Sequence, residues 1–481
     1  MLVAAGLGAI VLCTVSCGAD EAAARRAGRE GGRLNVVLLV SDTLRRDVLG
    51  FAGGEAVTPN IDRLAANGVV FQSAYSTGPS TVPSSVGMLT GRYHHAYPLT
   101  ETTKGDDPYE AFLVADSEVL LAEILAESGY TVLKSVENPN AEVSNNLQGF
   151  ADLPEYDELS PARRSRILEE LRVPSTDRAF REMFGTLDYL LTVGPDEPFF
   201  LLKWILDPHE PFDPPDGFPP RGNEHLRLPR DPEAYRGWHT RQLDQYWGEL
   251  SENERRALWN LYLAEVESVD ARVGLVIEAL RRSNLLEKTI VVFTSDHGEM
   301  FGEHGFRGHK RRFYEELVHV PLVLMGPGLP AKAVVRESFS HVSLMPTLAE
   351  LLDVRLPGDV QGHSYVPSML ARSPSAPSYL YLAPRSLNAS GAVVAGSRKL
   401  HVYGTHGERV HVFDVEVDPS ETRDLGEGEA SFDELNRYFL TARAENESRR
   451  RRREREISGV PERPPLADET VQRLRALGYL E

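Results

Sequence analysis

The fold is decided by the stretch Val36-Val37-Leu38-Leu39-Val40-Ser41-Asp42 and by a second stretch far along the chain, Ile290-Val291-Val292-Phe293-Thr294-Ser295-Asp296-His297-Gly298. Continuous apolar runs of this length are typical of strands that are covered on both faces, as in a parallel sheet. Ligands of such sheets bind outside the carboxyl ends of the strands, so Asp42, Asp296 and His297 are expected to converge at one site. Two carboxylates and an imidazole predict a metal site there, and a metal at this place indicates hydrolytic chemistry.

The rest of the chain alternates strand patterns with helical patterns, which is typical of βαβ units around a parallel sheet. Strands are expected over residues 131–136, 198–206 and 320–325, and helices over residues 59–64, 116–128, 261–280 and 344–352. After about residue 370, short alternating segments at 392–395, 399–403 and 410–415 precede a helix that starts at Phe432. This order predicts a small antiparallel sheet with a covering helix.

Length and composition indicate a globular chain with more than one core. At 481 residues the chain exceeds what one core usually supports, so we expect a large α/β domain over residues 33–370 and a small domain over residues 371–481. Apolar residues make up 41% and charged residues 26%, which excludes wholesale disorder. The net charge of −19 argues against nucleic acid or an anionic membrane surface as a partner, whereas an anionic substrate is compatible with a locally positive site.

The first 32 residues predict export. Residues 2–12 are apolar but too short to span a bilayer, which is typical of a signal peptide. Thr14-Val15-Ser16-Cys17 resembles a bacterial lipoprotein box, so we expect residues 1–17 to be a signal segment with Cys17 lipidated, and residues 18–32 to be a tether. The protein would then sit at the bacterial cell envelope, on the membrane only through this anchor. A plain cleaved signal peptide and a misassigned start codon are the alternatives.

Seven short motifs follow one another along the chain in a fixed order. They are Asn35-Val-Val-Leu-Leu-Val-Ser-Asp42-Thr-Leu-Arg45, Leu89-Thr-Gly-Arg-Tyr93, Asp207-Pro-His209-Glu-Pro211, Thr294-Ser-Asp296-His297-Gly-Glu299, Gly302-Glu-His-Gly305, Tyr314-Glu-Glu-Leu317 and Ala476-Leu-Gly-Tyr479. Together they resemble the sulfatase family of the alkaline phosphatase superfamily. The resemblance implies an ester hydrolase with a large mixed sheet flanked by helices, and a smaller C-terminal α+β domain with a four-stranded antiparallel sheet.

The chain departs from this family at the nucleophile. The family carries a Cys/Ser-x-Pro-x-Arg signature whose first residue becomes formylglycine, whereas the equivalent segment here has Thr81 in first place and Ser85 in place of the arginine. Threonine at this position is similar to nucleotide pyrophosphatase/phosphodiesterases, phosphoethanolamine transferases and lipoteichoic-acid synthases, which form a phospho-threonine intermediate. Such an intermediate can be released by water or an alcohol, so the nucleophile need not eliminate the group itself. Pro83 is expected to open the helix after Thr81, so that free backbone N–H groups face the anion. The alternative is that Thr81 only caps a helix and that the protein is inactive.

The metal is expected to be one divalent ion bound by Asp42, Asp296, His297 and the Thr81 oxygen. An imidazole in place of a hard oxygen ligand favours Zn²⁺ or Mn²⁺ over Ca²⁺, although Ca²⁺ stays possible. Four ligands suit zinc. The alternative is structural: helix-capping or turn-capping carboxylates and a hydrogen-bonded histidine at strand ends.

Three further residues are expected to contact the substrate. Lys310 matches the active-site lysine that precedes Tyr-Glu in sulfatases, and its neighbour His309 could take that role instead. His209 matches a histidine that touches the transferred group or protonates the leaving oxygen. Its alternative is a buried loop histidine.

The roles of three other polar residues stay open. Lys203, in the middle of an apolar run, is either a paired or sheet-edge lysine or a site residue. Asn138 and Asn140 follow a strand end and either approach the substrate or form a turn. The five arginines at residues 449–453 are expected to be a solvated extension of the last helix.

Three functions are compatible with these patterns. The first is a metal-dependent hydrolase that cleaves a phospho- or sulfo-ester through Thr81, with a small-molecule, glycan or lipid ester as substrate. The second is an envelope phosphotransferase that uses the same covalent intermediate, and the third is an inactive binding lipoprotein. The irregular residues 211–247 are expected to face the substrate, because long loops of this kind are usually functional.

Overall fold

The computed structural model describes residues 33–104, 107–222, 247–309, 312–371, 379–387, 390–404 and 406–456. The predicted signal segment and tether, Lys310 and the Ala476-Leu-Gly-Tyr479 motif lie outside these residues. Within them, no helix has the length and apolar character that crossing a membrane requires.

An eight-stranded mixed sheet forms the centre of the structure, as the resemblance implied. Its strands in chain order are β1 (Asn35–Ser41), β2 (Val69–Phe71), β6 (Thr131–Val136), β7 (Ala151–Asp152), β8 (Phe199–Ile205), β9 (Thr289–Ser295), β12 (Leu322–Met325) and β13 (Ala333–Val335). Across the sheet the order is β13-β2-β12-β9-β1-β8-β6-β7. The neighbours β9, β1, β8 and β6 are all parallel, and β12 runs antiparallel to β9 and β2.

The central position of β1 follows from its composition. Residues 36–40 are all fully buried, and they alternate between two hydrophobic cores on opposite faces of the sheet. Val37 and Leu39 belong to one core, whereas Val36, Leu38 and Val40 belong to the other. A strand that is apolar on both faces can only be accommodated between two layers of helices.

Helices cover both faces of this sheet. In chain order they are α1 (Pro59–Ala66), α2 (Thr81–Thr90), α3 (Leu121–Glu127), α4 (Pro161–Leu171), α5 (Arg178–Arg181), α6 (Phe184–Thr192), α7 (Glu252–Arg282), α8 (Glu315–Val318), α9 (Leu344–Leu351) and α10 (Val366–Met369). Residues of α1 and α4 to α7 pack in one core, and residues of α2, α3, α9 and α10 pack in the other. α7 is longer than predicted because a capping box of Ser251 and Glu254 starts it at Glu252, and α3 is shorter than predicted.

A second sheet is antiparallel and has four strands, as predicted: β15 (Leu380–Leu382), β16 (Gly391–Ala395), β17 (Arg398–Tyr403) and β18 (Arg409–Asp414). The last described helix, α11 (Phe432–Glu456), packs Leu435 and Phe439 against it. β15 was not predicted. The remaining strands form three short pairs, β3 (Ala74–Tyr75) with β14 (Phe339–Ser340), β4 (Leu99–Lys104) with β5 (Asp107–Phe112), and β10 (Met300–Phe301) with β11 (Arg307–Gly308).

The arginine run at the end of α11 is not wholly solvated, so the prediction for it is wrong at Arg453. This side chain is 5% exposed and forms ion pairs of 2.5 Å with both Glu118 and Asp359. Asp359 also pairs with the buried Arg92. Arg453 therefore fastens α11 to the part of the chain that carries the large sheet.

A buried cluster of charges also connects the four-stranded sheet to the helix α8 and to the short strand that contains Tyr75. Lys399 on β17 is fully buried, and its Nζ lies 2.7 Å from Glu315 Oε1 and 3.2 Å from Glu421 Oε1. Tyr75 donates a hydrogen bond to Glu315, and His401 lies 2.9 Å from Glu421. Burial alone would raise the pKa of Glu315, but the charge of Lys399 brings that pKa down to about 2. Both carboxylates therefore share one ammonium group, and each has a histidine as a further partner, His319 for Glu315 and His401 for Glu421.

We predict that Lys399→Met lowers the free energy of unfolding by about 3–5 kcal/mol, because it leaves buried carboxylates without their cation. Urea denaturation of purified protein measures this change. The matched control is Lys288→Met, whose partner Asp196 is exposed and 3.8 Å away, and which should cost less than about 1 kcal/mol. Equal losses for the two variants would show that the cluster does not stabilise the fold.

Candidate active site

The site residues come from the carboxyl ends of four parallel neighbours, β9, β1, β8 and β6. Asp42 follows β1, Asp296 and His297 follow β9, Asn138 lies beyond β6, and His209 lies beyond β8. Because parallel strands end on the same edge of a sheet, these side chains meet where α/β sheets bind ligands. The predicted convergence of Asp42, Asp296 and His297 is present: each offers a ligand atom within 4.8 Å of the others.

Asp42 is fully buried and is held from two neighbouring strands. Its backbone N–H donates to the carbonyl of Ile205 at 2.9 Å. Its Oδ2 accepts hydrogen bonds from the indole N–H of Trp204, at 3.2 Å, and from the Asn138 amide. Its Oδ1 has no hydrogen-bond donor among the described residues. One carboxylate oxygen is thus fixed by the protein, and the other is left for a ligand.

Asp296 is arranged in the same way. Its Oδ1 accepts the backbone N–H groups of Thr43, at 3.2 Å, and His297, at 2.8 Å, while its buried Oδ2 has no hydrogen-bond donor in the described part of the chain. Thr43 reaches this position with φ of 51°. A β-branched residue in the left-handed region is strained, so the contact with Asp296 is maintained against a local conformational cost. Tyr262 on α7 donates to the Thr43 carbonyl at 3.0 Å and holds the strained turn.

His297 presents its Nε2 to both carboxylates. Its Nδ1 lies 2.9 Å from the carbonyl oxygen of Gly298, so Nδ1 carries a proton, and in the neutral ring the lone pair is on Nε2. Nε2 lies 3.3 Å from Asp296 Oδ2 and 3.8 Å from Asp42 Oδ1. The three atoms therefore face one another with unshared electron pairs.

The electrostatics of this group call for a cation. Burial, together with the charge of Asp296, raises the pKa of Asp42 to about 6. Burial raises the pKa of Asp296 to about 7. Two carboxylates that are fully excluded from water and lie close together are costly in their charged form. A divalent ion would remove this cost, and the two carboxylate oxygens without donors and the Nε2 lone pair are the donor set that such an ion binds.

Thr81 lies beside these three residues. Its Oγ1 is 3.4 Å from His297 Nε2 and accepts a hydrogen bond from Asn138 Nδ2 at 3.3 Å. The helix α2 begins at Thr81, with Ser80 as N-cap, so our expectation that Pro83 opens it is wrong by two residues. Thr81 is therefore the first residue of the helix and not its N-cap, and the unpaired N–H groups of the first turn lie at the same end.

The turn before α2 is tightly built. The Ser76 and Ser84 hydroxyls both donate to the Gly78 carbonyl, at 2.8 and 2.9 Å. A Cβ on Gly78 would stand 2.4 Å from the carbonyl oxygen of Ala383, so no larger residue fits without movement. Ser85, where the family carries arginine, donates to the carbonyl of Val82 in its own helix.

Two further histidines pack against the group. The His309 ring lies 4.6 Å from that of His297 and 5.0 Å from that of His209, measured between centroids. His309 Nδ1 contacts the Glu299 carboxylate at 2.8 Å. His209 Nδ1 lies 2.6 Å from the Glu210 carbonyl, which places its proton on Nδ1. Burial lowers the pKa of His209 to about 4 although the charge of Asp42 opposes this shift, so the ring is neutral at pH 7.

Other predicted residues are placed away from the group. Lys203 is a buried lysine paired with Glu137 at 2.8 Å, which decides between the alternatives that the sequence left open. Asn140 donates its backbone N–H to Asn138 Oδ1 and forms a turn. Glu303 forms an ion pair with Arg45. Lys310 lies outside the described residues, so its role stays a prediction.

Trp204 and Glu299 were not predicted from the sequence, and they act through their contacts with Asp42 and His309. The Trp204 indole fixes Asp42 together with the amide of Asn138, and Asn138, whose role the sequence left open, both contacts the site and forms a turn. Glu299 fixes His309. The position of Asn138 after a strand indicated a possible site residue. The contact of the Trp204 indole depends on strand register, and that of Glu299 depends on a hairpin, and no local sequence pattern encodes either.

Comparison with known proteins agrees with this architecture. A family model described as sulfatase matches residues 34–354, and one described as N-sulphoglucosamine sulphohydrolase, C-terminal, matches residues 302–444. Arylsulfatase K of Mus musculus is 26% identical over 440 residues, which cover 81% of this chain and 76% of the relative.

Two solved structures share the fold. BT1596, a 2-O GAG sulfatase, has a TM-score of 0.66 at 20% identity and covers 89% of this chain and 94% of its own. The phosphonate monoester hydrolase SpPMH from Silicibacter pomeroyi has a TM-score of 0.65 at 21% identity and covers 86% of this chain and 96% of its own. The family model spans more than half of the chain, and this chain is therefore an ester hydrolase that belongs to the sulfatase family.

Proposed function

We propose that this protein is a metal-dependent hydrolase that cleaves a phospho-ester in preference to a sulfate ester, with Thr81 as the nucleophile. The observation that carries the proposal is the placement of Thr81 Oγ1 at 3.4 Å from His297 Nε2, beside the two buried carboxylates. The sulfatase relatives make sulfate-ester hydrolysis the second candidate.

The donor set fits one divalent ion. Asp42 Oδ1, Asp296 Oδ2 and His297 Nε2 would hold it, and the Thr81 oxygen would complete four ligands. Two carboxylates with one imidazole suit Zn²⁺ or Mn²⁺. Such an ion supplies stabilisation of the threonine alkoxide and of the charge on the ester oxygens.

The residues of the chain would then perform a two-step displacement. Thr81 Oγ1 gives its proton to water and attacks phosphorus, the new threonine–phosphorus bond forms, and the bond from phosphorus to the alcohol oxygen breaks. Asn138 donates to Thr81 Oγ1 and holds it in line. Water then attacks the phospho-threonine, which releases phosphate and returns the proton to Thr81.

The structure bears on which group protonates the leaving alcohol. In a neutral His209 the Nδ1–H group donates a hydrogen bond to the Glu210 carbonyl, so Nε2 can only accept a proton or a hydrogen bond. We therefore propose that His209 orients a water molecule or the substrate, and that water protonates the leaving oxygen. His309 and Lys310 stay candidates for contact with the non-bridging oxygens.

The preference for phospho-esters over sulfate esters follows from the Thr81 side chain. Formylglycine hydrate carries a second hydroxyl that can expel sulfate, and threonine has none. A phospho-threonine does not need that route, because water can attack phosphorus directly.

Export and attachment through Cys17 belong to the same proposal, since an anionic ester outside the cell would reach an enzyme anchored at the envelope.

We predict that Asp42→Asn removes the response to metal and stabilises the metal-stripped protein. The variant loses one of two buried charges, so its melting temperature without metal should exceed that of stripped wild type. Adding Mn²⁺ or Zn²⁺ should raise the melting temperature of wild type only. Asp270→Asn is the control, because Asp270 is a buried carboxylate that accepts the N–H groups of Asn60 and Ile61 elsewhere in the fold. It should lower stability and keep the metal response; a metal response in Asp42→Asn would contradict the ligand set.

We predict that Thr81→Ala lowers kcat on aryl phosphate esters by several orders of magnitude, because it removes the attacking oxygen. Thr81→Ser should retain measurable turnover. Thr90→Ala, at the other end of α2, is the matched control and should stay near wild type. The assay compares phosphate mono- and diesters, phosphonates and sulfate esters with one aryl leaving group. Sulfate hydrolysis that dominates in wild type and survives Thr81→Ala would overturn both the nucleophile and the substrate class.

We predict that Cys17→Ser releases the protein from the membrane fraction of the host cell, since it removes the proposed lipid attachment point. Fractionation followed by immunoblotting measures this. Cys13→Ser is the control and should leave the protein membrane-bound. Equal membrane recovery of Cys17→Ser and wild type would argue against the anchor.

A further inference from the structure

A buried ion-pair network lies behind the site, on the opposite face of the large sheet. It consists of Lys203 on β8, Glu137 just after β6, Arg272 on α7 and Asp207 just after β8, and we call it the Glu137 network. Lys203 and Arg272 are fully buried, and Glu137 is 5% exposed. Charges buried this deeply need several partners each, because their desolvation is costly.

Lys203 has three polar partners within this network. Its ammonium group donates hydrogen bonds to Ser135 Oγ at 2.9 Å and to the Glu182 carbonyl at 2.8 Å, and it forms an ion pair with Glu137 Oε1 at 2.8 Å. Ser135 stands directly opposite Lys203 in the register of β6 and β8. The ammonium group thus has one position, and it fixes Glu137 relative to β8.

Glu137 then ties together the ends of three strands. Its Oε2 accepts the backbone N–H of Leu206 at 3.0 Å, at the end of β8. Arg272 lies 3.8 Å from Glu137 and pairs with Asp207 at 2.5 Å. The Asp207 carbonyl accepts the hydroxyl of Ser41, the residue before Asp42, at 2.7 Å. The ends of β1, β6 and β8 are therefore held in one arrangement.

The residue next to Glu137 is Asn138, which has extended backbone and caps the short helix that follows. Because the two residues share a peptide unit, a fixed Glu137 restricts the position of the Asn138 side chain. Asn138 Nδ2 donates to Thr81 Oγ1 at 3.3 Å and also to Asp42. The network thus acts on the nucleophile through a single intermediate side chain.

We propose that Glu137 is a positioning residue: its ion pair with Lys203 sets the Asn138 amide that aims Thr81 at the substrate. The proposal deepens the proposed function and rests on it, because Thr81 must be the group that reacts. A merely structural network predicts a different outcome, since apolar replacement of a buried ion pair is often neutral or stabilising and would leave turnover unchanged.

The test replaces the pair by apolar side chains of similar length, in the variant Glu137→Met/Lys203→Met. We expect a folded protein with wild-type metal response, a kcat lowered by about 10- to 100-fold and a nearly unchanged KM, as for other groups that orient reacting residues. Lys134→Met is the matched control on the same strand, where Lys134 pairs with Glu142 and Asp152. It should leave kcat unchanged. A wild-type kcat in the folded double variant would overturn the proposal.

A double-mutant cycle with Asn138→Ala distinguishes a positioning role from a general loss of rigidity. If the pair acts through Asn138, the Met/Met change should lower kcat by less than about twofold in the Asn138→Ala background. A fall as large as in the wild-type background would overturn the proposal. Should the Met/Met protein not fold, Glu137→Gln/Lys203→Met, which keeps an acceptor for the Leu206 N–H but removes the ion pair, enters the same cycle under the same criteria.

A crystal structure of the Met/Met variant gives a result that does not depend on activity. We expect Asn138 Nδ2 to leave hydrogen-bond distance of Thr81 Oγ1, and an unchanged contact would refute the positioning role. If wild type hydrolyses none of the esters, the proposed function fails, while this structure still decides whether the Glu137 network positions Asn138.

Discussion

The structure depends on one constraint: two carboxylates, Asp42 and Asp296, are buried side by side at the ends of adjacent strands. One oxygen of each is held by hydrogen bonds from the chain, and the other has no donor among the described residues. Burying a pair of anions in this way is unfavourable unless a cation joins them. The strained Thr43, the fixed tautomer of His297 and the neutral His209 are all arranged around that point.

The same constraint supports the proposal that Thr81 is the nucleophile, at a position where the resemblance to sulfatases implies formylglycine. A threonine hydroxyl is a weak nucleophile in water, and it needs a nearby positive charge and an orienting partner. The carboxylate pair would bind a cation that supplies the positive charge, and Asn138 is the orienting partner. In the Glu137 network two buried cations, Lys203 and Arg272, hold the ends of the strands together. The positions of the site residues are therefore set by the sheet as well as by the loops.

Much of the fold and the centre of the site could be predicted from the sequence, because both are encoded locally. Continuous apolar runs ending in Asp42 and in Asp296-His297 predicted buried strands and their meeting point, and the four-stranded sheet followed from the resemblance to sulfatases. The start of α2 was placed two residues late, because Pro83 favours the first turn and Ser80 forms no side-chain cap. The pairing of Lys203 with Glu137, the indole bond of Trp204 and the burial of Arg453 depend on register and on distant segments, which local patterns do not specify.

The measurement that tests the account most directly is mass spectrometry of wild-type enzyme quenched with acid during turnover of an aryl phosphate ester. The account predicts a phosphate adduct on the peptide that contains Thr81, present only while substrate remains, and absent from Thr81→Ala. Turnover of that ester by wild type with no adduct at Thr81, or with an adduct on another residue, would contradict it.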